Sequence, residues 1–172
     1  MIGMRKSELQ LVPHDPLWRS EYEAEKNRII GAAGDDVRVE HVGSTAIEGI
    51  RAKPVLDIAI LCSPASLDRV ANAVESLGYK YRGKYDDQPD RYYAVLDEGD
   101  VRRCQLHIYT RRDAGWTSQI MFRDALGKHR HLAEEYERYK VMLAATTGND
   151  KREYARIKSL WADEFVRRVL AW

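Results

Sequence analysis

The 172-residue sequence predicts an α+β fold, a β-sheet with helices over it followed by a helical C-terminal third. Three observations carry this reading. The run Pro54 to Cys62 is apolar enough for a central strand covered on both faces. Arg91–Asp97 and Val101–Tyr109 look like two strands joined by Glu98-Gly99-Asp100, a hairpin signal. From Trp116 onward apolar residues recur at helical spacing.

In chain order, Leu9-Gln-Leu-Val12 is a short apolar lead-in. Asp15-Pro16 then starts a helix, with Asp as N-cap and Pro at the first helical position. Trp18, Tyr22 and Ile29 extend it over 16–32, ending at Gly31–Gly34. Val37 to Val42 alternates as a strand, with Val37, Val39 and His41 on one face and Arg38, Glu40 and Val42 on the other. One short helical turn is expected over 45–50, before the central strand. Ser63-Pro64 repeats the cap-plus-proline signal, Leu67, Val70, Val74 and Leu77 form a stripe, and Gly78 ends that helix. A short strand over 79–82 and a polar loop over 83–90 precede the hairpin. Trp116, Ile120, Met121 and Phe122 mark the first C-terminal helix, and Leu132, Tyr136, Tyr139 and Leu143 the second. The loop Thr146–Asp150 breaks the pattern, and Ile157, Trp161, Phe165 and Val169 mark the last helix. The whole reads as one domain, with residues 10–112 as sheet core and 113–172 as the helical part.

A formal net charge of +1 does not point to bulk nucleic-acid binding. The halves differ, however: residues 101–172 carry 15 Lys/Arg against 9 Asp/Glu, and residues 1–100 carry 13 against 18. That asymmetry suits a site holding a metal on one side and phosphates on the other, and equally suits solvated helices that differ in charge. Cys62 and Cys104 have no CxxC spacing and read as buried thiols of a reducing compartment. The N-terminus has no apolar signal-type core, and no run approaches the ~20 apolar residues of a membrane span, so the expected setting is soluble and cytoplasmic.

The candidate chemistry centres on residues 40–58. A Gly43-Ser44 turn frees backbone N–H groups and a hydroxyl to face an anion, with Thr45 beside it and Lys53 as a second phosphate contact. Asp57 is a carboxylate inside an apolar strand, which requires a partner such as a metal or a base. A two-metal site would place two acids as Asp-x-Asp, but position 59 is Ala. His107 lies on the polar face of its strand and is the candidate to complete the site, the competing reading being a structural hydrogen bond. Glu40 or His41 could add a further ligand, and alternation leaves open which of them points inward. Tyr136/Lys140 and Tyr154/Lys158 are i,i+4 pairs, either a base-stacking Tyr with a phosphate-binding Lys or a core-edge aromatic with a snorkelling Lys. His129 and His131, two apart, point to different faces of a helix and make a poor metal pair. No Ser-His-Asp, Cys-His or Walker pattern suggests nucleophilic catalysis.

Glu40-His-Val-Gly-Ser-Thr45, followed by Gly49, Ala52-Lys-Pro54 and Asp57-Ile58, resembles the signature of the GrpB-like family. The likeness continues in Asp15-Pro16-x-Trp18, Glu25-Lys26, Leu77-Gly-Tyr79, Leu106-His-Ile108, Phe122-Arg-Asp124 and the two Tyr-x-x-x-Lys spacings. The chain has Ala46-Ile-Glu-Gly49 where such proteins usually have Ser-Val-Pro-Gly, and Ala125-Leu-Gly127 where they tend to have Tyr-Leu-Arg. The resemblance implies a nucleotidyltransferase-like mixed sheet closed by a helical bundle, with Gly43-Ser44 facing a triphosphate and Asp57 a metal. It adds Arg123 to the nucleotide-binding set and, through fusions to dephospho-CoA kinase, hints at nucleotide or coenzyme A chemistry. The expected activity is Mg²⁺- or Mn²⁺-dependent transfer of a nucleoside monophosphate from an NTP to an acceptor, with Asp57, His107 and Glu40 as ligands. The alternatives are a non-catalytic nucleotide-binding module and a single-metal phosphohydrolase. Oligomeric state, acceptor and nucleobase are not legible.

Overall fold

The protein was described from a computed structural model covering residues 2–85 and 88–170. In chain order the elements are β1 (Met4–Arg5), α1 (Leu17–Ala33), β2 (Arg38–Val42), β3 (Leu56–Leu61), α2 (Leu67–Ser76), β4 (Lys80–Tyr85), β5 (Gln88–Glu98), β6 (Val101–Tyr109), α3 (Ala114–Lys128), α4 (Arg130–Thr146) and α5 (Lys151–Leu170). Short 3₁₀ turns at Ser44–Ala46 and Pro64–Ser66 follow β2 and precede α2.

Five strands form the order β2-β3-β6-β5-β4, and β1 pairs with β6 beside them. The sheet is mixed: β3 and β6 run parallel, whereas β2–β3, β4–β5, β5–β6 and β1–β6 are antiparallel. Pairing of Val42 with Asp57, Glu40 with Ala59 and Ala59 with His107 puts Glu40, Asp57 and His107 on one face of the sheet. Val39, Ile58, Ile60, Leu106 and Ile108 take the other face, where α1 and α2 cover them with Trp18, Ile29, Val70 and Val74. The first face is sealed beside Val42, Ala59 and Tyr109 by Trp116 of α3.

The three C-terminal helices have a core of their own, and the connector after β2 belongs to it. Ile47 and Ile50 are buried with Leu126, Leu132, Ala133, Tyr136, Phe165 and Val169. The connector therefore staples the helical part to the sheet: one end continues β2, and the middle is solvated by aliphatic and aromatic side chains of α3, α4 and α5.

Several sequence-level expectations are refined. Helix α1 starts at Leu17, with Pro16 at the cap, and Asp15 still satisfies the Leu17 N–H through Oδ1 at 3.0 Å. Ser63 caps the turn into α2 by accepting from the Ser66 N–H, and Gly78, with φ +92°, sits just past its end. The expected polar loop over 83–90 is mostly strand, because β4 runs to Tyr85 and β5 begins at Gln88; residues 86–87 lie outside the described residues. The lead-in 9–12 contributes one bridge, Val12 to Ala52, and β1 was not foreseen because two residues carry no alternation to detect. Met121 is exposed. His129 sits at the break between α3 and α4, so it does not share a helix with His131. No helix among the described residues is long and apolar enough to cross a membrane, and Cys62 and Cys104 are free and buried.

Truncation at the staple tests this architecture. Ile50, fully buried, is expected on Ile50→Ala to lose about 2–5 kcal/mol of stability in urea unfolding. Leu160→Ala, at a side chain 66% exposed, should change stability by no more than about 0.5 kcal/mol.

Candidate functional site

The site begins with a steric fit. Gly43 has φ +70°, and a Cβ at that position would lie 2.6 Å from Asp57 Oδ2 and 2.9 Å from Asp57 Cβ. Only glycine allows the turn to lie against the carboxylate. The backbone then enters the 3₁₀ turn Ser44–Ala46, whose Ser44 and Thr45 line one cavity with Asp57.

Asp57 is half-buried and accepts from His107 Nε2 through Oδ1 at 3.1 Å. His107 Nδ1 lies 2.8 Å from the Arg91 guanidinium. A guanidinium can only donate, so Nδ1 accepts and the ring proton resides on Nε2, directed at Asp57. Arg91, His107 and Asp57 thus form a chain of oriented hydrogen bonds across β5, β6 and β3. Tyr93, tilted against the His107 ring with centroids 5.7 Å apart, and its hydrogen bond to Gln105 complete this patch.

Glu40 shares the face of Asp57 but is committed elsewhere. It bonds Arg38 at 2.8 Å and Arg123 at 2.8 Å, and although burial pushes its pKa up, the two guanidiniums outweigh this and hold it below the usual carboxylate value. His41 faces the opposite way, stacked on Tyr22 at 4.6 Å and hydrogen-bonded to Thr45 Oγ1 at 3.0 Å. Burial, reinforced by Arg123, lowers its pKa to about 4, so it is neutral at physiological pH. Among the described residues no group of three His, Cys, Asp or Glu side chains could hold a metal ion. The structure therefore brings His107 to Asp57 and leaves Glu40 in a separate ion-pair cluster with Arg123.

The phosphate candidates do converge. A cavity of about 40 Å³ is lined by Ser44, Thr45, Lys53, Asp57, Lys140, Tyr154 and Lys158, with Leu11 and Val55. Both Tyr/Lys pairs reach it from the helical part, α4 supplying Lys140 and α5 supplying Tyr154 and Lys158. Tyr136 stands behind the turn: its hydroxyl accepts from Ser44 Oγ at 3.3 Å, and its ring packs among Phe122, Trp161 and Phe165. Here the site role and the core-edge role coincide in one side chain.

Three lysines face one carboxylate in this cavity, and their environments differ. Lys140 is 1% exposed. Its ammonium donates to the Arg51 carbonyl at 2.6 Å and lies 4.5 Å from the centre of the Tyr136 ring. Burial first, then the Lys158 charge, pulls its pKa down to about 7. Lys53 lies over the Tyr154 ring at 4.4 Å, and burial followed by Lys158 and Lys151 lowers it to about 8. Lys158 goes the other way: the oxygen of Tyr136, then Tyr154 and Asp57, outweigh its burial and keep it charged. What sequence reasoning missed is Arg91 behind His107, and Glu137 of α4, which accepts from the Arg51 N–H at 2.7 Å and fixes the connector.

Known proteins resemble this chain in sequence and in fold. The family described as GrpB protein matches residues 8–168. The "Glutamate-rich protein GrpB" of Alkalihalophilus pseudofirmus is 29% identical over 98% of this chain and 100% of its own length. A dephospho-CoA kinase of Mycolicibacterium paratuberculosis is 28% identical over 97% of this chain, which spans 47% of that protein. Among solved structures, the conserved protein GrpB of Enterococcus faecalis superimposes with a TM-score of 0.84 at 22% identity, covering 94% of this chain and 98% of that one. Terminal uridylyl transferase 4 of Trypanosoma brucei, solved with dUTP, gives a TM-score of 0.55 at 12% identity, covering 92% of this chain and 53% of that one. The fold is that of the nucleotidyltransferases.

The buried lysine makes stability depend on pH in a specific direction. With Lys140 at about 7 when folded and at the ordinary 10.5 when unfolded, the unfolded chain binds more protons between these values. Stability should then rise from pH 7 to pH 9, by about 1 kcal/mol per pH unit from this group. Urea titrations of wild type and Lys140→Met across pH 6.5–9 should show a shallower slope in the variant; equal slopes would show that Lys140 keeps its proton in the fold.

Proposed function

We propose that this chain, which belongs to the GrpB family, is a divalent-metal-dependent nucleotidyltransferase that moves a nucleoside monophosphate from an NTP to an acceptor. The observation that carries the reading is the convergence of Ser44, Lys53, Asp57, Lys140, Tyr154 and Lys158 on one cavity, although they come from three separated stretches of chain. The uridylyl transferase similarity supports it at the level of fold.

In this reading Ser44, the turn backbone and the three lysines hold the phosphates and neutralise charge that builds up as the reaction proceeds. The acceptor oxygen forms a bond to the α-phosphorus while the α-phosphorus–oxygen bond to the β-phosphate breaks. Pyrophosphate leaves with that electron pair, and the acceptor proton passes to solvent. Asp57 fits a single Mg²⁺ or Mn²⁺, since such ions are commonly held by one or two carboxylates together with the substrate phosphates. That ion, when bound, would supply charge neutralisation to the phosphates. His107 acts through Asp57: its Nε2–H fixes Oδ1 and with it the direction of the carboxylate. Arg123 supports the turn from outside the cavity, donating to the His41 carbonyl at 2.8 Å and to Glu40. A triphosphate exceeds about 40 Å³, so its entry requires the long lysine side chains to swing aside.

A second reading, a nucleotide-binding module without turnover, is favoured by Ala59, which stands where a second acid would complete a metal pair. A relationship to coenzyme A metabolism rests on the dephospho-CoA kinase relative.

Nucleotide and metal titrations, combined with a pyrophosphate-release assay, separate these readings. Transfer predicts metal-dependent pyrophosphate release that Asp57→Ala lowers on the order of 10²-fold or more. A binding module predicts nucleotide affinity that survives chelation with no release. Absence of both nucleotide and metal binding at high micromolar concentration would discard the enzyme reading.

A further inference from the structure

A cavity far roomier than the one beside Asp57 lies elsewhere among the described residues. A cleft of about 750 Å³ opens along the outer edge of β2, between the start of α1 and the α3–α4 junction, and Thr45 lines both it and the phosphate cavity. Its volume lies in the range of small-molecule sites.

The cleft is closed to another strand. β2 is the edge of the sheet, but its outward carbonyls are already occupied: Tyr22 donates to Val39 O at 3.1 Å and Arg123 to His41 O at 2.8 Å. A peptide could not extend the sheet here. What remains available is guanidinium. Arg19 makes no hydrogen bond or ion pair among the described residues and lines the cleft from α1. Arg130 faces it from α4, and its guanidinium is seated by the connector: it lies over Gly49, where a Cβ would come within 2.4 Å of Nη1. Arg130 Nε bonds Glu134, whereas its terminal nitrogens make contacts of 3.5 Å to the Glu48 and Gly49 carbonyls. Gly49 is required by its own backbone, at φ +76°, and the Arg130 guanidinium lies in the space its side chain would take. The carboxylates of Glu23 and Glu48 also line the cleft, as acceptors for hydroxyl groups.

We propose that this cleft is a binding site for a small acidic molecule bearing hydroxyl groups, its phosphate or carboxylate held between Arg19 and Arg130. Two guanidiniums lining one opening suit such an anion through charge-assisted hydrogen bonds. The site extends beyond the transferase reading and does not depend on it, since binding here requires neither Asp57 nor a nucleotide.

The test is a ¹H–¹⁵N NMR titration of the full chain with glucose 6-phosphate, citrate and glucose as probes. Amides of Arg19, Glu23 and Glu48, which line this cleft and not the one beside Asp57, are expected to shift with glucose 6-phosphate, with citrate, or with both, and the pattern identifies whether phosphate or carboxylate is preferred. Glucose should cause no shifts. Arg19→Glu, an exposed substitution that removes no internal contact, should weaken binding at least about fivefold. Arg156→Glu, which changes the net charge equally on α5, should leave it unchanged. The proposal is overturned if neither anion shifts these amides, if glucose binds as well as the anions, or if the two charge reversals act alike.

Discussion

The structure depends on how the connector between β2 and β3 is held. Its apolar residues, Ile47 and Ile50, are buried in the helical core, while its backbone is met by polar groups of α4: Glu137 takes the Arg51 N–H and Lys140 the Arg51 carbonyl. The connector alternates buried Ile47, Ile50 and Ala52 with exposed Glu48, Gly49 and Arg51, so the two α4 contacts on Arg51 fix the path of the chain at the surface of that core. The helical part supplies both, so fold and site share one set of contacts. Lys140 illustrates the consequence. Its ammonium is placed beside the phosphate cavity by the same bond that satisfies Arg51, and desolvation depresses its pKa there.

Much of this was legible in the sequence where one residue's chemistry conflicts with its neighbours. Asp57 stands out because a carboxylate in an apolar strand must have a partner, and Gly43-Ser44 as a turn that frees N–H groups to face an anion; that Gly43 lies against Asp57 itself was visible only in the structure. Period-two alternation was enough to place His107 on the polar face, and both bounds of its strand, Val101 and Tyr109, were read correctly. The Tyr/Lys spacings on two helices gave the residues but not their destination, since helical periodicity says which residues share a face and not what that face meets.

The remainder was hidden for identifiable reasons. Counting back from the Gly99 turn would set Arg91 opposite Ile108, on the wrong face for His107. A bulge between Leu96 and Asp97 shifts the register by one residue and turns Arg91 and Tyr93 to the His107 side. That irregularity leaves no mark in composition or alternation. Glu40 was assigned to the metal by position alone, whereas its partners Arg38 and Arg123 come from its own strand and from a helix more than eighty residues away. The large cleft left no trace in sequence, because it arises where the N-terminal helix and the α3–α4 junction leave a gap.

The distribution of the phosphate cavity along the chain has a consequence for biosynthesis. Its lining begins at Leu11 and is completed by Tyr154 and Lys158 on α5. Domains emerge from the ribosome N-terminal end first, at about 5–20 residues per second. The sheet can be assembled as soon as β6 has emerged, but at that stage the turn at Ser44 faces solvent with no helix above it, and Ile47 and Ile50 have nothing to pack against. On the proposed reading, ligand affinity arises late, when α5 docks. Until then the nascent chain exposes an apolar connector, and the cavity lacks Lys140 and Lys158.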